Sequence, residues 1–155
     1  MAPKPSFARY RYEVVPKGIA GNAVLVDLVA IPASQLSDWQ SCKVSDYFPS
    51  SPRRQSADRF EADMAPGSPV LLERTDPVQT KWENRHAAYL VIMASLNGDF
   101  KDGPDDPRRK ILRLRKGIWE TKDTQGNLQI QILDDGIQLT TPDNGWGVVK
   151  PNEAR

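Results

Sequence analysis

The sequence predicts an α+β fold in which an antiparallel sheet packs on one long central helix. Three observations carry this expectation: a twenty-residue amphipathic stretch with helix signals at both ends, alternating strand patterns near the N-terminus, and a hairpin-rich C-terminal third. The helix is expected over Pro77 to Leu96. Asp76 suits the N-cap, Pro77 the first helical position, and Gln79 the return bond of a capping box. Val78, Trp82, Tyr89, Met93 and Leu96 fall at spacings that share one helical stripe, and Asn97-Gly98 supplies a left-handed stop. Ala87, Leu90, Val91 and Ala94 make the second half apolar almost all round, which places it in the core.

In chain order, Met1 to Ser6 reads as a loose lead-in without a secretory pattern. Tyr10, Tyr12 and Val14 alternate with Arg9, Arg11 and Glu13, as in a half-buried strand. Ala23 to Ile31 is almost all aliphatic and reads as a central strand covered on both faces, with Asp27 as its one charge. A carboxylate there requires a bonded neighbour, an edge or a function. Ser34 to Gln40 reads as a short helix with Leu36 and Trp39 inward. Residues Ser41 to Asp58 are dominated by Ser, Pro and Arg and read as a mobile surface loop within a single domain spanning residues 1–155. Ala57 to Met64 reads as a helical turn or two and Val70 to Leu72 as a short strand.

Asp99 to Pro107 is an acidic loop. Beyond it, Ile111 to Lys122, Asn127 to Asp134 and Ile137 to Thr141 read as a three-stranded antiparallel meander. Gly117 marks a bulge, Asp123 to Gly126 a loose turn and Asp135-Gly136 a two-residue hairpin. Pro142 to Gly145 is a further turn, after which Trp146 to Val149 adds a last strand or docks on the core.

Composition narrows the chemistry. The 155 residues are 39% hydrophobic and 26% charged with a net charge of +1, the profile of a soluble globular protein without a global field. One cysteine, Cys42, precludes an internal disulfide and fits a reducing, cytoplasmic setting. The longest apolar run, Ala87 to Ala94, is far short of the ~20 residues of a membrane helix, so no membrane contact is expected. One Cys and one His cannot furnish a structural zinc site, and no phosphate-binding glycine loop is present. Neither a metal nor a cofactor is expected.

The strongest local signal is the basic run Arg108 to Lys116. Arg108, Arg109, Lys110, Arg113, Arg115 and Lys116 stand among nine residues that include no acid. Arg113 and Arg115 share a strand face, and Gln129 and Gln131 are expected beside them on the next strand, a row suited to phosphate or carboxylate contacts. The competing reading is a solvated face balanced by the preceding acidic loop. His86, the only histidine, would serve any imidazole acid–base chemistry, with Glu83 one turn earlier to orient it. A packed boundary histidine is the plainer account.

The sequence therefore points to a binding or interaction protein without catalysis, contacting nucleic acid or an acidic protein through the basic face. Two alternatives stand beside it. One is a metal-independent nuclease, since a long helix beside an arginine-bearing sheet resembles the plan of small bacterial ribonuclease toxins in architecture alone. The other is an assembly partner whose residues 41–58 order on contact.

Overall fold

The computed structural model describes residues 8–19, 24–64, 67–115, 118–119, 127–141 and 147–151. The lead-in, Gly117, Lys122, the turns at 123–126 and 142–145, and Trp146 lie outside them. Strands β1 (Arg11–Pro16), β2 (Leu25–Ile31), β3 (Arg59–Asp63), β4 (Val70–Leu72), β5 (Tyr89–Ala94), β6 (Arg109–Arg113), β7 (Asn127–Leu133) and β8 (Gly136–Leu139) form two four-stranded sheets. The first has the order β4-β1-β7-β8 and is mixed, because β1 and β7 run parallel. The second, β3-β2-β5-β6, is antiparallel throughout. Their inner faces meet in one core, where Tyr10, Tyr12, Val14, Leu128, Ile130 and Ile132 face Val26, Leu28, Ala30, Leu90, Ile92 and Leu112.

The second sheet is buried on its other face as well. Helices α1 (Leu36–Gln40), α2 (Val44–Tyr47) and α3 (Pro52–Ser56) form an arm across it. Leu36, Trp39, Val44 and Tyr47 from the arm pack on Val29, Ile31, Val91, Met93 and Ile111. A strand covered on both sides cannot show polar alternation, which explains the near-continuous aliphatic runs of β2 and β5.

The fold is thus a two-sheet sandwich with short helices, and the long central helix does not exist. Helix α4 spans Pro77–Asn84, with Asp76 capping the Val78 N–H at 3.0 Å. The chain then turns into β5, the strand between β2 and β6. The helical stripe was coincidental beyond Trp82: Leu90 and Ile92 point into the sandwich while Val91 and Met93 point to the arm, a period of two. An aliphatic run this short reads equally as buried helix or central strand. His86 supplies the left-handed stop that Asn97-Gly98 was expected to give. Its φ is 56°, its N–H bonds the Glu83 carbonyl and the Ala87 N–H reaches the Trp82 carbonyl, closing a Schellman motif.

The expected C-terminal meander is divided between the sheets. Strand β6 pairs with β5 in the second sheet, whereas β7 and β8 belong to the first. The free side of β6 is met by residues 147–149, through Arg113 N–H to the Gly147 carbonyl and Val149 N–H to the Ile111 carbonyl. The β7–β8 turn consists of Asp134 and Asp135, with Leu133 opposite Gly136. Gly136 opens β8 at φ 151°, where a Cβ would lie 2.8 Å from Pro107 Cβ. Residues 59–63, expected as a helical turn, are β3 on the edge of the second sheet.

Candidate interaction surface

Residues 41–58 are built into the fold through one buried cluster. Asp27, on the arm-facing side of β2, is fully buried. It accepts from the Tyr47 hydroxyl at 2.7 Å and from Arg54 Nε at 2.7 Å, and Arg59 Nη1 stands 3.8 Å away. Arg54 also pairs with Glu61 on β3 and donates to the Pro49 carbonyl. Burial is the largest influence on Arg54 and opposes its charge. The hydrogen bonds and charges of Asp27 and Glu61 outweigh it and hold the guanidinium above its ordinary value. Burial first, then the Asp27 charge, pushes the Tyr47 hydroxyl far above the usual phenol range, so it remains a donor. Low apolar content suggested a loose loop, but one tyrosine and one arginine fix the arm through a single carboxylate. Two signals were present in the sequence: a lone acid in an aliphatic strand, and Ser51-Pro52, which forms the N-cap and first residue of α3.

The basic run is dispersed by the fold. Arg108 pairs with Asp106 at 2.8 Å and Asp102 at 3.0 Å and lies over the Phe100 ring. The hydrogen bond to Asp106 chiefly raises its pKa. Asp102 in turn accepts from the Ser45 hydroxyl and N–H, which hold its carboxyl below the usual range. The acidic loop is thereby tied both to β6 and to α2. Arg109 is buried and donates to the carbonyls of Cys42 and Gly103. Arg113 shares its face with Arg109, while Lys110 points to the opposite side of β6 with Leu112. Arg115 is exposed, and Lys116 lies outside the described residues. Gln129 and Gln131 lie on the outer face of the first sheet, with the sandwich between them and the arm-side arginines. Gln129 bonds Glu13 and Thr140 there. These side chains do not make one continuous row.

His86 is exposed at the end of α4, and Glu83 accepts from Arg9 Nε at 3.4 Å. A left-handed conformation costs a Cβ-bearing residue roughly 1–2 kcal/mol, against ~0.4–1 kcal/mol of added unfolded-chain entropy for glycine. His86→Gly is therefore expected to raise stability by up to ~1 kcal/mol, seen as a higher urea midpoint. A lower midpoint would mean that the imidazole makes a stabilising contact of its own.

Two clefts flank the arm. An open one of about 620 Å³ lies between the end of β2, α1, α3 and the end of α4. Trp39 forms its floor beneath Arg53, whose guanidinium lies 5.2 Å from the indole centroid, and Arg85 pairs with Asp58 at 2.7 Å on the rim. The other, about 250 Å³, lies where β6 meets β8 and residues 147–151. Among the described residues no group of three or more His, Cys, Asp or Glu is placed to hold a metal. No described helix is long and apolar enough to cross a membrane.

No family model matches the sequence, and no curated protein matches it. Solved structures do share the fold. A chain described as "Type VI membrane complex" superposes with a TM-score of 0.53 at 14% identity, over 84% of this chain and 95% of that one. The C-terminal domain of the type VI secretion protein TssM from EAEC gives 0.54 at 13%, over 84% and 98%. Serratia marcescens Lip, a membrane bound component of the type VI secretion system, gives 0.52 at 13%, over 87% and 99%. At such identities the likeness is one of fold. Two of these neighbours in fold are described as part of a membrane complex and as a membrane bound component, which points away from the expected cytoplasmic location. That expectation rested on cysteine count and the missing apolar helix, neither of which registers association through other proteins.

Proposed function

We propose that this chain is a protein-interaction module of a membrane-associated assembly and performs no chemistry of its own. One observation carries the reading: the sandwich covers nearly the whole length of three chains from type VI secretion membrane machinery. The local geometry supports it. His86 serves a helix end, Glu83 is engaged by Arg9, and the most basic stretch is largely spent on internal contacts. The open cleft with Trp39 as its floor and arginine at its rim has the make-up of an interface centre, where aromatic and arginine side chains are enriched.

The test is the native size of the chain in its own cells. After mild detergent extraction of the membrane fraction, it is expected to run in a particle larger than the 17.3 kDa monomer, together with a second protein. A free monomer confined to the supernatant would contradict the proposal, and so would co-migration with nucleic acid abolished by nuclease.

A further inference from the structure

The basic residues of β6 are not equivalent. Arg108 has two carboxylates and Arg109 two carbonyls, as described above. Lys110 is half-buried, yet no carboxylate among the described residues stands within ion-pairing distance of it. Burial alone accounts for its lowered pKa, with no acidic neighbour pulling the other way. A half-desolvated ammonium without a counter-charge is unfavourable, and it lines the 250 Å³ cleft. Ile111, Ile137 and Val149 are among the apolar residues that line that cleft.

We propose that this cleft receives an acidic, partly apolar segment of the partner protein, with the Lys110 ammonium as counter-charge to a carboxylate and the three aliphatic side chains holding its neighbour. The inference rests on the reading of the chain as an interaction module. Arg109, which lines the same cleft, has its guanidinium on the Cys42 and Gly103 carbonyls, so among the described residues Lys110 is the lining cation left without such a contact, and a carboxylate matches it in charge. A nucleic acid backbone would call for several cations in a row, whereas Asp105 and Asp106 also line the cleft. Asp106 is engaged by Arg108. Asp105 is exposed and opposes an incoming acid, so its removal has a predictable sign.

The test is a titration of the full chain with a fluorescein-labelled synthetic peptide of alternating glutamate and leucine, beside a counterpart with glutamine for glutamate. The acidic peptide is expected to bind in a salt-sensitive manner. Lys110→Met, which keeps the aliphatic stem, should weaken it by about tenfold, and Asp105→Asn should tighten it. Bound peptide should also raise the Lys110 pKa and slow its reductive methylation, measured by mass spectrometry. Equal binding of the two peptides, no binding at all, or unchanged affinity in Lys110→Met would overturn the proposal. So would stronger competition by a single-stranded oligonucleotide that depends on Lys110. A melting temperature matching wild type separates lost binding from lost folding in the variant. If the peptide fails while the chain still runs in a large membrane particle, only the acidic-segment inference falls.

Discussion

Arg54→Met is expected to lower the free energy of unfolding by ~3–5 kcal/mol, the range for removing one partner of a buried ion pair. Asp27 has no exposure and loses its best donor in this variant, keeping only the Tyr47 hydroxyl and Arg59 at 3.8 Å. The cost is that of an undercompensated buried charge, so it should vanish when the charge is removed too. Asp27→Val together with Arg54→Met should recover most of the loss, because an apolar replacement of a buried pair is often neutral or better. Urea denaturation of the two single variants and the double variant measures the coupling. A single variant within ~0.5 kcal/mol of wild type, the ordinary scatter of surface substitutions, would mean that the arm is held by its apolar contacts alone.

Leu90→Ala is expected to cost ~2–5 kcal/mol, the range for a large-to-small change in a core that cannot collapse around the cavity. Leu90 is wholly buried, lies opposite Ala30 and Leu112 in register, and faces the first sheet. Met93→Ala should be costly as well, but on the other face, where Met93 supports the arm. Its signature is different: protease access to α2 and α3 should rise along with the global loss. Variants indistinguishable from wild type in denaturant would remove β5 from the centre of the fold.

The legible parts of the sequence are those whose burial is one-sided. In β1, Tyr12 and Val14, with Tyr10 just ahead of the strand, face the core while the residues between them are half-buried, so the period of two survives in the text. The doubly covered strands are harder. For β2 the β-branched composition sufficed, but in β5 the Tyr-Leu-Val-Ile-Met-Ala run followed a true helix and inherited its register by coincidence. Sheet membership was beyond reach for a related reason. β6 and β7 are neighbours in sequence and sit in different sheets, and β1 pairs in parallel with β7 more than a hundred residues away. Non-local pairing leaves no local signature.

The candidate residues show the same division. Clustering along the chain identified Arg108 to Lys116 as unusual, but alternate side chains of a strand point to opposite faces. The fold therefore turns Lys110 to the other face of β6 from Arg109 and Arg113, although Lys110 and Arg109 both border the smaller cleft, and a whole sandwich separates the arm-side arginines from Gln129 and Gln131. The acid that matters most, Asp27, was visible as a lone charge in an aliphatic strand. Its partners were not, because Tyr47 and Arg54 sit in a stretch whose composition resembles that of a loop.

Whether the chain works by holding another protein is tested most directly by photo-crosslinking in living cells. A photoreactive amino acid placed at Arg53, exposed at the mouth of the larger cleft, should give one discrete adduct with a second protein in the membrane fraction. No adduct from Arg53, Lys110 or Gln131 would contradict the reading of this sandwich as an interaction module.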